Sequence, residues 1–297
     1  MNPNFKGTYA VAITPFYEDG SFNYEAAKAH LDWLIGNGVK GVCILGATGE
    51  YQSITDDEHK AYVREIVPYV KDRVSVLVGV SRERPDDVVE LMKNAKDCGA
   101  HACMALSPFY CHPAQDEIYA FYKYINDHVD LPFIVYNNPG SAGVDIEPET
   151  FEKLLKLPNA LIVKESTGDI RRLTEVLNAA SENTSVLCGC DNLAYESFVA
   201  GAHGWISMAA NFAPKDCTEL YECIAERKDY EKGREIYERL LPSLNLLESF
   251  PKPVQAIKYI VKEVRGLESG CVKRPRLELT EEEKAYVLEN MKAENIN

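Results

Sequence analysis

The sequence predicts a closed (β/α)8 barrel with a helical extension at its C-terminal end. Three observations predict it: short apolar strand-like runs recur about every 25 to 35 residues, stretches of helical period separate them, and the strand signals stop after about residue 225. A chain of 297 residues is long enough for one such barrel with appended helices. A doubly wound open sheet shares the same alternation and is the alternative.

Eight runs are apolar and rich in β-branched residues, as strands buried on both faces require. In chain order they read TYAVAIT, GVCIL, VSVLVGV, HACMALS, PFIVYN, ALIVKES, SVLCG and HGWISM. Stretches with helical spacing lie between them, at 24–36, 55–70, 86–97, 115–127, 148–156, 169–180 and 191–200. Because a helix follows each strand, the strands are expected to run parallel, with a ligand site at their C-terminal ends.

The rest of the chain predicts helices alone. Helical patterns occur in DYEKGREIYERLLPSLNLLESF, PVQAIKYIVKEV and TEEEKAYVLENMKAE, with Pro251, Pro253, Gly266 and Gly270 at the breaks. No low-complexity linker precedes them. We therefore predict a barrel over residues 1–225 and a packed C-terminal helical extension over residues 226–297.

Composition argues against several classes of protein. The chain has 46 acidic and 32 basic residues, a formal charge of -14, which disfavours nucleic acid or an anionic membrane as a partner. The first ten residues lack the features of a signal peptide, and no segment approaches the ~20 apolar residues of a membrane span, so we predict a cytoplasmic protein.

The cysteines predict neither disulfides nor a metal site. There are nine, an odd number, scattered through apolar segments as reduced thiols are. Cys188 and Cys190 form the one close pair, but one residue separates them and no second pair or histidine cluster has zinc spacing.

The segment GNGVKG, residues 36–41, matches the glycine pattern of dinucleotide-binding folds. That pattern must follow a strand and open a helix, so that phosphate meets the helix N-terminal amides. Here a helix precedes it and a strand follows, which is typical of a glycine-terminated helix and a tight turn. The pattern therefore does not predict a nicotinamide cofactor.

Three polar features follow predicted strands. GATGE, residues 46–50, could present free N–H groups and the Thr48 hydroxyl to a carboxylate, or be a plain turn in which Thr48 or Thr55 caps a helix. Tyr136 ends strand five, as an acid/base or as a barrel-lining residue. Lys164 ends strand six, either as a charge reaching water or as a nucleophile with a depressed pKa.

Together these features suit one chemistry. A lysine amine condenses with the keto group of a 2-oxo acid, amides hold the acid's carboxylate, and a tyrosine moves protons at the substrate oxygen. The iminium then withdraws electrons and permits bond making or breaking at C3. This chemistry requires no metal and no organic cofactor.

The chain resembles the dihydrodipicolinate synthase and N-acetylneuraminate lyase superfamily of class I aldolases. The similarity covers nearly the whole length and is ordered and specific. It rests on AITPF, GATGE, SPFYCHPAQDEIYAFY, LPFIVYNNPGSAGVDI, IVKESTGD, GAHGWISMAANFAP and KRPRLEL.

The resemblance implies a (β/α)8 barrel with three C-terminal helices and a homotetramer built as a dimer of dimers. It further implies Lys164 as the Schiff-base lysine and Tyr136 as the general acid/base. The remaining roles implied are substrate carboxylate binding by Ala47 and Thr48, pocket lining by Gly189 and Ile206, and a dimer contact near the site for Tyr110.

The chain departs from the family at several positions. Synthases usually have threonine, which links two tyrosines, at the position of Ala47, and arginine, which binds the second substrate's carboxylate, at the position of Ser141. Asp191 matches the lyase branch and could bind sugar hydroxyls or cap a helix, whereas Asn192 replaces an acidic residue there. We therefore expect a poor synthase and a substrate whose distal part is hydroxylated or neutral.

The sequence thus predicts a Schiff-base lyase, an aldolase or dehydratase, acting on pyruvate or a 2-keto-3-deoxy sugar acid. Alternatives are 4-hydroxy-tetrahydrodipicolinate synthase and N-acetylneuraminate lyase. A non-enzymatic barrel that binds a 2-oxo acid and regulates is a third possibility, because a fold does not guarantee turnover.

Overall fold

Eight parallel strands close into a barrel in the computed structural model, which describes residues 5–291. Each strand pairs with its neighbours in chain order, and β1 pairs with β8. The prediction of a (β/α)8 barrel is confirmed, and the open sheet is excluded. The strands are β1 Gly7–Val11, β2 Gly41–Ile44, β3 Ser75–Gly79, β4 Ala102–Leu106, β5 Phe133–Asn137, β6 Ala160–Glu165, β7 Ser185–Cys188 and β8 Gly204–Ser207.

Helices connect the strands and surround the barrel. The α-helices up to the last strand are α1 Tyr24–Gly36, α2 Asp56–Val70, α3 Pro85–Cys98, α4 Gln115–His128, α5 Pro139–Ala142, α6 Pro148–Leu154, α7 Ile170–Ala179 and α8 Ala194–Val199. The predicted helix at 191–200 begins as a 3-10 turn over Asp191–Leu193. The four-residue α5 was not predicted, because one helical turn is too short to show a period.

Alternating side chains divide the buried apolar residues into two layers. Since neighbouring residues of a strand face opposite ways, one set fills the barrel and the other packs under the helices. In β6, Ile162 belongs to the inner cluster and Val163 to the outer one. Lys164 therefore follows Ile162 on the inward face, where the apolar barrel ends.

Helices alone follow the last strand, as predicted. They are α9 Pro214–Tyr221, α10 Tyr230–Ser249, α11 Pro253–Arg265 and α12 Glu281–Met291, with a π-helical turn at Glu222–Glu226. The extension contacts the barrel end, for example where Arg265 Nε donates to Phe212 O at 2.5 Å. Residues 292–297 of the predicted extension lie outside the described residues, and its boundary after residue 225 stays a prediction.

Two remaining features of the fold are the state of the cysteines and the length and apolar character of the helices. All nine cysteines are free thiols, and five of them are buried: Cys43, Cys103, Cys188, Cys217 and Cys223. Between residues 5 and 291, no helix combines the length and the apolar character needed to cross a membrane.

Candidate active site

Lys164 and Tyr136 meet at the C-terminal ends of β6 and β5. The two residues are register partners in the parallel ladder. The Lys164 side chain is 6% exposed, and its Nζ lies 4.4 Å from the centroid of the Tyr136 ring. The predicted proximity of these residues is confirmed, and it places an amine beside a phenol inside the barrel mouth.

Opposing effects set the charge of Lys164. Burial favours the neutral amine and lowers the pKa of Lys164, whereas Tyr136, Cys43 and Asp191 stabilise the ammonium when they are anionic, and the net pKa is raised. The structure therefore differs from the depressed pKa expected of a nucleophilic lysine, because acidic groups converge on the amine. Burial also raises the pKa of Cys43 to about 12, so this thiol is neutral at pH 7.

Asn138 orients the hydroxyl of Tyr136. Asn138 Oδ1 accepts from the backbone N–H of Ser141 at 3.1 Å, which fixes the amide orientation. Its Nδ2 then donates to Tyr136 Oη at 2.8 Å. Tyr136 thus accepts from Asn138 and keeps its own proton for another partner. Asn138 was not among the predicted site residues, although an Asn before Pro is a signal of turn formation and capping.

The GATGE segment forms a tight turn after β2. The N–H of Glu50 donates to Ala47 O at 3.1 Å, and that of Tyr51 to Gly46 O at 3.4 Å. The backbone N–H groups of Ala47 and Thr48 have no acceptor among residues 5–291. Thr48 is buried, and the helix cap belongs to Thr55, so Thr48 and the two amides remain available to a ligand.

Gly189 leaves space for the Lys164 side chain. A Cβ at position 189 would lie 2.9 Å from Lys164 Cε and 1.9 Å from Ser166 Oγ. Gly189 therefore lies against the Lys164 side chain. The same contact reveals Ser166, whose buried hydroxyl has no hydrogen-bond partner within the described chain. Ser166 stands two residues after Lys164 in IVKESTGD, but nothing in this sequence pattern distinguishes its hydroxyl from that of an ordinary loop serine.

Asp191 is buried, and its carboxylate accepts hydrogen bonds from the last residue of β8 and from the residue after it. Its carboxylate accepts from Ser207 Oγ at 2.5 Å and from the N–H of Met208 at 2.8 Å. Asp191 is itself the first residue of the 3-10 turn, whose N-cap is Cys190, so it is not a helix cap. Asp191 influences Lys164 electrostatically, and its donors within the protein oppose the use of this carboxylate for sugar hydroxyls.

The other predicted site residues differ in how deeply they are buried in the barrel. Ile206 lies on β8 and belongs to the apolar cluster inside the barrel that also contains Tyr136. Ser141 is exposed on α5. Tyr110 is 85% exposed, in the loop after β4, where its backbone N–H donates to Glu83 Oε1 at 2.7 Å. In the single chain, Tyr110 is thus presented outward from the rim.

Metal-binding side chains do not cluster in the described part of the chain: no group of three or more His, Cys, Asp or Glu residues there could hold an ion. The amine of Lys164 lies against the Tyr136 ring and the Ser166 hydroxyl lies near the Lys164 side chain, while the amides of residues 47 and 48 belong to the turn after β2, at the same end of the barrel. This set can bind a carboxylate and attack a carbonyl carbon.

Known proteins share both the sequence and the fold. The chain is 34% identical over 288 residues to 4-hydroxy-tetrahydrodipicolinate synthase of Neisseria meningitidis serogroup B, covering 97% of this chain and 98% of that protein. It is 35% identical over 272 residues to the synthase of Stutzerimonas stutzeri, covering 91% of each.

Solved structures give the same result. Dihydrodipicolinate synthase from Aquifex aeolicus superposes with a TM-score of 0.93 at 30% identity, over 98% of this chain and 99% of that one. The chloride-inhibited synthase from Acinetobacter baumannii, solved with pyruvate, has a TM-score of 0.91 at 31% identity, over 98% and 99% of the two chains. The sequence profile of the dihydrodipicolinate synthetase family matches residues 4–294, and this chain belongs to that family.

Proposed function

We propose that this enzyme binds pyruvate as an imine of Lys164 and condenses the derived enamine with aspartate semialdehyde, as a 4-hydroxy-tetrahydrodipicolinate synthase. The observation that carries the imine is the buried amine of Lys164 against the Tyr136 ring at the C-terminal end of the barrel. The relatives named for this activity support the synthase, which was one of the alternatives predicted from the sequence. They support it over the main prediction of an aldolase or dehydratase.

The carboxylate of pyruvate would rest on the N–H groups of Ala47 and Thr48. Attack of the neutral Lys164 amine on the keto carbon gives a carbinolamine, and loss of its hydroxyl as water gives the imine. Tyr136 donates the proton that the leaving hydroxyl needs, and Asn138 holds the phenol in place for this transfer. The iminium withdraws electrons from C3, and the proton that C3 loses passes to the Tyr136 phenolate as the enamine forms.

A second candidate, cleavage or dehydration of a 2-keto-3-deoxy sugar acid, is favoured by one specific observation. The Ser166 hydroxyl is buried, lacks a partner among the described residues and lies beside the Lys164 side chain. A hydroxylated substrate would satisfy it. Ala47 and Ser141 point the same way, since neither supplies the hydroxyl or the guanidinium usual in synthases.

Trapping tests the imine directly. Borohydride with pyruvate should add one covalent adduct per chain in intact-mass spectra, and Lys164→Ala should abolish it. Ligand-induced stabilisation with no adduct would instead indicate a 2-oxo-acid-binding barrel that does not form the imine, and an adduct on Lys164→Ala would assign the reaction to another lysine.

Kinetics separate the two substrates. The synthase proposal expects a catalytic efficiency above ~10⁴ M⁻¹s⁻¹ with pyruvate and aspartate semialdehyde, within the ordinary range of enzymes. A guanidinium contributes about 1.5–3 kcal/mol to binding a carboxylate against ~1 for a hydroxyl, so its absence at Ser141 should weaken the semialdehyde by about tenfold. An efficiency well below that threshold, together with turnover of a 2-keto-3-deoxy acid, would select the second candidate.

Assembly and location are also part of the proposal. We propose a homotetramer in the cytoplasm, with the exposed Tyr110 ring at a contact between subunits. Analytical ultracentrifugation of the purified protein measures the assembly, and a monomer at working concentration would exclude this role for Tyr110.

A further inference from the structure

Glu50, the last residue of the GATGE turn, has a buried carboxylate whose partners all come from the C-terminal extension. Its side chain is 0% exposed, and its Oε1 lies 2.6 Å from Lys258 Nζ. Its Oε2 accepts from the backbone N–H of Lys273 at 2.9 Å and lies 3.7 Å from Arg276 Nη1. A buried carboxylate requires such partners.

Lys258 is equally committed to this contact. The side chain, on α11, is 4% exposed. Besides Glu50, its Nζ donates to Cys271 O at 2.6 Å, and the N–H of Cys271 donates to Phe16 O at 2.8 Å. The ammonium therefore joins α11, the segment after it and the loop after β1 at a single point.

The turn itself adopts a conformation that needs external support. Glu50 has a φ of +61°, in the left-handed region that is unfavourable for a residue with a Cβ. Its N–H closes the turn on Ala47 O, and Thr14 Oγ1 donates to Gly49 O at 2.9 Å. The Glu50 side chain thus anchors the residue whose N–H closes the turn that contains Ala47 and Thr48.

We propose that the buried Glu50–Lys258 ion pair is a positioning element, through which the C-terminal extension sets the carboxylate-binding turn over Ala47 and Thr48. Neither side chain is proposed to touch the substrate or the reacting atoms. The inference rests on the proposed function, because it concerns the site for the carboxylate of the 2-oxo acid.

The test separates positioning from simple stabilisation. The amount of borohydride adduct is measured against pyruvate concentration, giving a half-saturating concentration and a limiting yield. Lys258→Met and Glu50→Gln should raise the half-saturating concentration about tenfold and leave the limiting yield unchanged. Tenfold is about the contribution of one hydrogen bond from a turn amide to the substrate carboxylate. Lys258→Arg should retain most of the wild-type affinity.

A matched control removes a lysine ion pair that lies elsewhere on the extension. Lys252 pairs with Glu283 at 2.7 Å, and neither residue contacts Glu50. Lys252→Met should leave the half-saturating concentration unchanged.

Removing one partner of a buried ion pair leaves an uncompensated charge and can prevent folding, so the double variant Glu50→Gln/Lys258→Met is included. It buries no charge at this pair, and we expect it to fold with the same raised half-saturating concentration. A folded double variant with wild-type half-saturation, or single variants with a lower melting temperature alone, would overturn the inference. Absence of any adduct on the wild-type protein would instead refute the proposed function.

Discussion

Adding one methyl group at Gly189 should slow imine formation by Lys164 without changing any reactive group. The new Cβ would lie 2.9 Å from Lys164 Cε and 1.9 Å from Ser166 Oγ. It would also lie 2.9 Å from Glu165 O, which cannot withdraw because it accepts the N–H of residue 189 at 2.8 Å. The serine can rotate, so the displacement falls on the lysine.

The size of the effect follows from these distances. Ordinary contact begins at 3.4 Å, so Lys164 Cε must move by about half an ångström, and overpacking of this kind costs about 1–3 kcal/mol. A displacement of about 1 Å at a reacting group costs on the order of 10²-fold in rate. We therefore expect Gly189→Ala to slow imine formation by about tenfold or more while the protein remains folded.

The assay is the time course of borohydride adduct at saturating pyruvate, followed by intact-mass spectrometry. Gly36→Ala is the matched control, since a Cβ there would meet nothing within 4 Å. Ser166→Ala combined with Gly189→Ala should recover little of the rate, because the contact of the new Cβ with Lys164 Cε remains. A folded Gly189→Ala protein that forms the adduct as fast as wild type would refute the reasoning.

Three further predictions follow from the same structure. Tyr136→Phe should form the imine more slowly, reach the same final adduct yield and lose turnover by ~10²–10⁴-fold, and unchanged steady-state turnover would remove Tyr136 from the mechanism. Because the pKa of Lys164 is raised and only the neutral amine attacks, the initial trapping rate should rise with pH by up to about tenfold per unit between about pH 6 and 9, and a flat profile would contradict this. Burial lowers the pKa of His30 and of His59 to about 4. Above the unfolded pKa near 6.5, each histidine is neutral in both the folded and the unfolded protein. As the pH falls to 4, the unfolded protein takes up these protons first, which lowers the free energy of unfolding by about 3 kcal/mol for each histidine. The free energy of unfolding of His30→Asn and of His59→Asn, measured by chemical denaturation, should therefore fall less steeply with acid than that of wild type.

Local patterns predicted the barrel and the centre of the site. Strand periodicity and parallel connection place Tyr136 and Lys164 on neighbouring strand ends, and strand alternation places both inward. The short spacing between strands then makes their contact unavoidable. These are consequences of backbone geometry, which the sequence pattern reports directly.

Long-range charge contacts were not predictable in the same way. Lys258 lies on a helix far along the chain from Glu50, and nothing in either segment indicates the other. The raised pKa of Lys164 likewise depends on groups from several strands, including Cys43 and Asp191. The residues next to Asp191 in the sequence predict either a ligand or a helix cap. Its hydrogen bond from Ser207 depends instead on the fold, which brings the end of β8 to Asp191.

The two ends of the proposed substrate are recognised by different kinds of group, which explains why family membership supports the imine more strongly than the second substrate. The keto acid end would meet a lysine, a phenol and the main-chain amides of residues 47 and 48, and amides are present whatever side chain stands there. The rest of the substrate would meet side chains, among them Ser141 and the unpartnered Ser166 beside Lys164, so single substitutions can change the specificity. Relatives near 34% identity therefore constrain the first half of the reaction. The ratio of catalytic efficiencies for aspartate semialdehyde and a 2-keto-3-deoxy acid, measured in the wild type and in Ser166→Ala, isolates the second half: a loss confined to the hydroxylated acid would show that Ser166 binds a hydroxyl of that acid.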